Sequence, residues 1–167
     1  MTPSVLCLSV TAAKTNAARI LEQRGISYRL RDYPIQDDEH LDAVSVAKLV
    51  GLPPDSVFKT LVARGERHGP CMAVLPGPAT LDLKALARAS GDRSVALLAL
   101  KEVTPLTGYV RGGVTALGAK KALPVYLDET ALLFDEIAVS AGRKGLQIVL
   151  APADYVRATN ARVVKLD

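Results

Sequence analysis

The chain has 167 residues, 49% of them hydrophobic and 23% charged, which is enough for one domain with a buried core and excludes a disordered protein. Its net charge of +4 is compatible with a polyanionic partner without demonstrating one, and the lack of Trp argues against a stacking platform for single strands. No stretch approaches the roughly 18–20 uninterrupted apolar residues of a membrane span, so we expect no membrane association.

Cysteine and histidine are scarce. The cysteines, Cys7 and Cys71, are far apart without CxxC spacing, and the histidines, His40 and His68, lie in polar segments. Neither a zinc site nor a Cys/His nucleophile pair is expected, and we predict no metal and no cofactor. The apolar start of the chain lacks the basic lead of a signal peptide. Together with the two free thiols, this favours a cytoplasmic protein.

Helical and strand patterns alternate along the chain. Apolar residues at helical spacing predict a helix at 13–24, after which Ile26, Tyr28 and Leu30 alternate with polar residues as in a half-buried strand. With no linker or repeat, the pattern predicts one mixed α/β or α+β domain. The remaining predicted elements are a helix at 43–50, strands at 57–62 and 71–75, a helix from a Thr80 or Asp82 cap to Ala89, a helix at 101–106 broken by Pro105, strands at 125–127, 136–140 and 146–150, a helix at 154–158 and a strand at 163–166.

The stretch VFKTLV, residues 57–62, places a lysine inside an apolar strand. Because side chains alternate, Val57, Lys59 and Leu61 share one face, and apolar residues occupy both faces. Such a strand is usually covered on both sides, where an unpaired ammonium costs several kcal/mol. Lys59 therefore needs either an anion or an exit to water, and from this stretch alone a snorkelling lysine on an edge strand explains it equally well.

Two glycine-rich segments lie in the second half: TGYVRGGVTALGAKK at 107–121 and SAGRKG at 140–145. Successive backbone N–H groups in such turns form anion-binding concavities, which predicts a site for a phosphate, a ribose or a developing oxyanion. Hairpin turns and bulges are the alternative, and the commoner one for any single glycine. The chain has neither a Walker A nor a GxGxxG motif, so we do not expect a nucleotide triphosphatase.

Read together, three segments resemble the YbaK/EbsC family, the free-standing relatives of the editing domain of bacterial prolyl-tRNA synthetases. They are SVFKTLV, TGYVRGGVTALGAKKALPVYLDE and VSAGRKGLQIVLAPAD, and they follow the family's order. The resemblance implies an aminoacyl-tRNA deacylase domain at 13–167, preceded by an N-terminal extension at 1–12. It also implies a compact α+β fold around a mixed, strongly curved, barrel-like sheet flanked by helices.

The same resemblance implies a set of site residues. Lys59 matches the family's lysine in the substrate pocket, near the 3′-terminal adenosine and the scissile ester. Gly112 and Gly113 match the glycine loop that lines this pocket. Ser140 and Gly142 match its second loop.

The activity implied is hydrolysis of mischarged aminoacyl-tRNA in trans, foremost Cys-tRNA(Pro), in which the bound cysteine's own thiol attacks its ester. Lys59 would position the substrate and stabilise charge, since an ordinary lysine pKa near ~10.4 leaves it protonated at neutral pH, although burial keeps a base role open. Tyr33 retains a family aromatic residue, whereas Gln147 stands where members acting on cysteinyl-tRNA often carry Asp. Removal of Ala or Ser therefore stays open, as does a noncatalytic tRNA- or synthetase-binding module.

The expected partner is the acceptor end of aminoacyl-tRNA. Because a domain this small reaches little beyond that end, tRNA choice would fall to a partner such as prolyl-tRNA synthetase. Five basic residues flank the glycine loops and are candidates for phosphate contacts, with ordinary surface charge an equally good explanation of each one singly. They are Arg111, Lys120, Lys121, Arg143 and Lys144.

Overall fold

The computed structural model describes residues 14–36 and 40–167, which contain five α-helices and eight β-strands. The predicted extension at 1–12, with Cys7, and the acidic residues at 37–39 lie outside the described residues, so the domain boundary stays a prediction. The helices are α1 (Asn16–Gln23), α2 (Ala43–Val50), α3 (Leu83–Ser90), α4 (Leu100–Thr107) and α5 (Pro152–Thr159). The strands are β1 (Arg29–Asp32), β2 (Phe58–Gly65), β3 (Gly69–Pro76), β4 (Val95–Leu97), β5 (Val125–Asp128), β6 (Ile137–Ser140), β7 (Leu146–Leu150) and β8 (Arg162–Val164).

Hydrogen bonding divides the described strands into two sheets. One has the order β1-β7-β6 with antiparallel neighbours, and the other has the order β4-β2-β3-β5-β8, in which β5 runs parallel to both β3 and β8. A parallel bridge between Val57 and Ala138 joins the two sheets. The α+β class is confirmed in this form, whereas closure into a barrel-like sheet stays a prediction.

The five-stranded sheet is buried on both faces. Met72 and Val74 of β3 point into the larger core cluster, which also holds residues of α1, α5, β6 and β7. Cys71 and Leu75 point to the other face and pack with Leu86 of α3. Full burial of one large apolar side chain contributes about 1.5–3 kcal/mol, so packing on both faces holds the β2–β3 hairpin firmly.

The helix ends mostly follow the sequence signals. Asp42 caps α2 and Asp82, rather than Thr80, caps α3. Gly51 and Gly91 end these two helices at φ values of +71° and +79°, a conformation that costs glycine little. None of the helices in the described part of the chain is long and apolar enough to cross a membrane.

The predicted break in α4 is wrong, and the strand before α4 was not predicted. Helix α4 continues through Pro105 to Thr107. The exposed proline costs the helix one intrahelical hydrogen bond. Burial of Val103 and Thr107 offsets that loss and keeps the helix intact. Strand β4 is missing from the predicted elements. Strand β4 forms by pairing with residues 63–65 at the end of β2. Because this partner lies about 30 residues earlier in the chain, the three residues of β4 carry no local signal of a strand.

Candidate active site

One edge of β2 is open between its neighbours. Strand β4 pairs with β2 at residues 63–65, β6 meets the chain through Val57, and no described strand pairs with residues 59–61 on that side. On this edge the Val62 carbonyl accepts from the Leu98 amide at 3.0 Å. Thr60, two residues earlier, therefore directs its backbone N–H and C=O toward the same edge.

A cavity of about 490 Å³ occupies this gap. Its walls come from β2, the start of α2, the segment joining β4 to α4, and both glycine loops. Pockets of about 300–1,000 Å³ commonly hold small-molecule ligands, so the volume is sufficient for a ligand of that class. Seven predicted site residues line it: Tyr33, Lys59, Arg111, Gly112, Ser140, Lys144 and Gln147.

Lys59 is held by backbone carbonyls. Its Nζ donates to the carbonyl oxygens of Gly77, at 3.0 Å, and Ala79, at 2.6 Å. Desolvation lowers the pKa of this half-buried lysine, and the negative charge of Asp42 partly opposes that shift. An ammonium has three donors, so these two hydrogen bonds leave one donor for a ligand. The sequence predicts that Lys59 needs either an anion or an exit to water. The structure instead pairs its ammonium with two backbone carbonyls.

The two glycine loops pack against each other behind the cavity. An ideal Cβ built on Gly113 would lie 2.9 Å from the Cα of Arg143, and one on Gly142 would lie 2.8 Å from the ring of Tyr109. Gly142, at φ +100°, also donates its amide to the Ser140 hydroxyl at 3.2 Å. Gly113 and Gly142 thus shape the loops without lining the cavity.

Ser140 and Gln147 lie opposite each other on β6 and β7. Because side chains alternate along a strand, Ser140 and Gln147 lie on the same face of the sheet as Ala138 and Val149. Ala138 and Val149 pack against α2, and on this face Ser140 and Gln147 line the cavity. Gln147 is 5% exposed, and its Oε1 has no hydrogen-bond partner among the described residues. A buried acceptor left unpaired costs roughly 1–3 kcal/mol, which a ligand donor would recover. Tyr33, also buried, completes this wall.

The five candidate phosphate contacts divide into two groups. Arg111 and Lys144 line the cavity, so the two glycine loops each supply one positive charge to it. Lys120, Lys121 and Arg143 are exposed and stand outside the lining. The cavity therefore brings together two of the five.

The sequence interpretation missed several residues of the cavity. Asp42 and His40 belong to a segment that reads as a solvated polar link, and no local signal distinguishes a capping aspartate from a ligand. Leu97 and Leu100 line the cavity while 54% and 57% exposed. The run VALLAL was an available signal for the leucines, because it is more apolar than an exposed connection requires.

Cys71 is unsuited to act as a nucleophile. It lies buried on the α3 side of β3, and burial raises its pKa to about 11. Within the described ranges, no group of three or more His, Cys, Asp or Glu side chains is arranged to hold a metal ion. The cavity itself presents an ammonium held by carbonyls and strand-edge backbone groups, which suit a developing oxyanion.

Comparison with known proteins shows which family the chain belongs to. The aminoacyl-tRNA editing domain matches residues 38–158, well over half of the chain. The chain belongs to the aminoacyl-tRNA editing domain family. The matched range contains β2, both glycine loops and every cavity residue except Tyr33 and Ile35. The family resemblance inferred from VFKTLV and the glycine loops is confirmed.

Two relatives and one solved structure extend the comparison. EbsC of Enterococcus faecalis, named as a Cys-tRNA(Pro)/Cys-tRNA(Cys) deacylase, is 44% identical over 156 residues, covering 93% of this chain and 94% of its own. ProXp-y of Escherichia coli, named as a multifunctional Ser/Thr-tRNA deacylase, is 27% identical over 87% of each chain. A crystal structure described as that of a trans-editing enzyme for prolyl tRNA synthetase has a TM-score of 0.80 and 29% identity, covering 93% of this chain and 99% of that one.

Proposed function

We propose that this chain is an aminoacyl-tRNA deacylase that removes wrongly attached amino acids in trans, with Cys-tRNA(Pro) as its principal substrate. The observation that carries the proposal is the Lys59 ammonium, fixed by the Gly77 and Ala79 carbonyls at the wall of the cavity. Family membership supports the reaction. The 44% identity to a protein named as a Cys-tRNA(Pro)/Cys-tRNA(Cys) deacylase supports the substrate.

The reaction makes modest demands on the protein. An aminoacyl ester is already activated, so holding it and stabilising the oxyanion supply much of the catalysis. The remaining Nζ donor of Lys59 and the backbone N–H of Thr60 at the open edge of β2 are the groups that serve the carbonyl oxygen. Two carbonyl acceptors favour the charged form of Lys59, so it acts as a positioned cation and not as a base.

For a cysteinyl ester, the substrate supplies the nucleophile. The thiol sulfur bonds to the ester carbonyl carbon, the bond from that carbon to the ribose oxygen breaks, and the thiol proton passes to the ribose oxygen. Water then opens the thiolactone to give free cysteine. This route needs no protein thiol, in keeping with the burial of Cys71 on the far side of β3.

Gln147 favours a small amino acid that carries a hydrogen-bond donor. Its buried Oε1, unpaired among the described residues, accepts from a thiol or a hydroxyl but gains nothing from alanine. A serine substrate is accordingly the second candidate. The 27% identity to a protein named as a Ser/Thr-tRNA deacylase supports it.

The acceptor end of tRNA enters beside the basic and apolar rims of the cavity. Arg111 and Lys144 meet phosphates, while Leu97 and Leu100 pack against the terminal adenine. Contacts of this kind carry little information about tRNA identity. We therefore assign that choice to prolyl-tRNA synthetase as a partner in the cytoplasm, supported by the likeness to the trans-editing structure.

The test is release of labelled amino acid from tRNA(Pro) charged with cysteine, serine or alanine. We expect the fastest release for cysteine, slower release for serine and the slowest for alanine. Lys59→Ala should lower kcat/KM by at least about 100-fold, the usual effect of losing an oxyanion donor. The control Lys84→Ala removes an exposed lysine of α3 and should leave the rate unchanged.

Three results would each change a different part of the proposal. If the wild-type chain binds charged tRNA but hydrolyses none, the protein is a noncatalytic binding module. If Lys59→Ala retains its rate, the assigned role of Lys59 is wrong although the deacylase stands. If serine is released faster than cysteine, the second candidate becomes the principal substrate.

A further inference from the structure

Asp42 is the one carboxylate among the described residues that line the cavity. The Lys and Arg side chains that line the same cavity are Lys59, Arg111 and Lys144. Asp42 caps α2 through Oδ1, which accepts from the Ser45 amide at 2.7 Å. Because a carboxylate offers about four acceptor positions, capping leaves part of its capacity for a ligand.

Tight packing ties the position of Asp42 to that of Lys59. An ideal Cβ on Gly77 would lie 2.6 Å from the Cβ of Ala43, the first residue of α2 and the one after Asp42. The carbonyl of Gly77 holds the Lys59 ammonium, and its amide donates to the Val57 carbonyl at 2.8 Å. The glycine contact therefore brings the start of α2, with its carboxylate, to the segment that holds the ammonium.

The two charges influence each other's ionisation. The pKa of Asp42 is lowered, first by the hydrogen bond from the Ser45 amide and also by the charge of Lys59. In return, the field of Asp42 raises the pKa of Lys59 against the larger effect of desolvation. Asp42 is thus ionised at neutral pH, while the ammonium of Lys59 is hydrogen-bonded to carbonyls. The cavity consequently has a negative and a positive pole.

An aminoacyl ester has the complementary polarity. Its α-amino group carries a proton and a positive charge, and its carbonyl oxygen becomes negative as the ester is attacked. We propose that the Asp42 carboxylate binds the α-ammonium group of the substrate while Lys59 faces the carbonyl oxygen. Asp42 then selects esters with a free amino group and spares N-acylated ones such as peptidyl-tRNA. This inference rests on the proposed deacylase function and specifies its substrate class.

The chain offers a matched pair of variants for the test. Asp42→Asn removes the charge but keeps a side chain that caps helices well, so the fold of α2 is retained. Asp82→Asn makes the same change at the N-cap of α3, where the carboxylate accepts from the Lys84 and Ala85 amides and lies outside the cavity lining.

Each protein is assayed near pH 6.5 on the aminoacyl-tRNA(Pro) that wild type hydrolyses fastest. The second substrate is the same aminoacyl-tRNA with its α-amino group acetylated. Because Asp42 is exposed, wild type should prefer the free amine by about 3- to 5-fold in kcat/KM, the effect expected for a solvent-accessible ion pair. Asp42→Asn should lose that factor on the free amine and keep the wild-type rate on the acetylated ester. Asp82→Asn should match wild type on both substrates.

A binding measurement makes the result independent of turnover. The probe is 3′-amino-3′-deoxyadenosine joined to the amino acid by an amide, with its α-amino group free or acetylated. Asp42→Asn should weaken binding of the free-amine probe alone, by a similar factor. If wild type binds both probes equally, or Asp42→Asn weakens both substrates or both probes to the same extent, Asp42 has a structural role and the inference is overturned. Amine-dependent binding without hydrolysis would uphold Asp42 and overturn the deacylase function.

Discussion

Gly113 and Arg143 lie backbone against backbone, so close that a Cβ on Gly113 would stand 2.9 Å from the Arg143 Cα. This contact sets the spacing of the two glycine loops that carry Arg111 and Lys144 to the cavity. We predict that Gly113→Ala destabilises the fold by about 1–3 kcal/mol, the usual effect of inserting a methyl group into a packed site. It should also lower kcat/KM, because the loops must separate. Urea denaturation and the deacylation assay measure the two effects.

Gly69→Ala is the control for this change. Gly69 lies at the β2–β3 turn with φ +78° and open space where a Cβ would be, away from the cavity. Its replacement should cost about 1–2 kcal/mol through backbone strain alone and leave the deacylation kinetics unchanged. Equal kinetics for both variants would show that the loop contact does not control the cavity.

Local signals were sufficient for much of this fold. Asp82 as a cap, Gly51 as a helix end and the apolar alternation of VFKTLV each act within a few residues, and the structure has the corresponding helices and strand. The cavity is different, because it exists where β4 and β6 fail to cover the edge of β2. Asp42 enters it through the contact of Ala43 with Gly77, a packing relationship that sequence spacing does not encode.

The pH profile of the reaction distinguishes a cationic Lys59 from a basic one. Desolvation lowers the pKa of Lys59, so its proton is lost at a lower pH than that of an ordinary lysine. If the ammonium is required, kcat/KM falls as the pH rises through that lowered pKa. A general base would give the opposite slope, since it becomes active as its proton leaves.

The measurement uses tRNA(Pro) charged with N-acetylserine, because a cysteine thiol titrates near ~8.5 and a free α-amino group near ~8, and either would obscure the slope. We expect an alkaline fall in wild type that is absent from Lys59→Arg, whose guanidinium keeps its proton. Lys59→Arg should also be roughly 10-fold slower throughout, since a planar fork replaces a compact ammonium. A rate that climbs through the lowered pKa in wild type would assign Lys59 the role of base.

The hydrogen bonds of Asp92 predict that the folded state loses stability at low pH. Its buried carboxylate accepts from the Ser90 hydroxyl at 2.7 Å and from the Arg67 and His68 amides at 2.9 Å each. These bonds, with that of Ser90 the largest, lower its pKa to about 2. The unfolded value is near ~3.9, so the stabilisation is complete above about pH 4 and is lost as the pH falls from 4 to 2.

Asp92→Asn should therefore be less stable than wild type at pH 7 and approach it at pH 2. Urea denaturation at several pH values between these limits measures the difference in the free energy of unfolding. Asp55→Asn, which changes an exposed carboxylate, is the control and should track wild type at each pH. A difference between Asp92→Asn and wild type that stays constant with pH would show that the charge of Asp92 does not stabilise the turn.

Two buried tyrosines provide a test of hydrogen bonding in the core. The Tyr155 hydroxyl has no hydrogen-bond partner in the described part of the chain, whereas the Tyr109 hydroxyl donates to the Leu117 carbonyl at 2.6 Å. Tyr155→Phe removes a desolvated group that gains nothing in return, so we expect it to raise the free energy of unfolding by about 1 kcal/mol. Tyr109→Phe leaves a buried carbonyl without its donor and should lower that free energy by about 1–2 kcal/mol.

The two variants remove the same atom from a buried ring, so their opposite signs depend on the hydrogen bond alone. Urea denaturation at neutral pH gives both values. Tyr109→Phe should leave the ring contact with Gly142 in place, so the deacylation rate should change less than the stability. If Tyr155→Phe destabilises the protein as much as Tyr109→Phe does, the Tyr155 hydroxyl is paired in solution, and its burial carries no penalty to relieve.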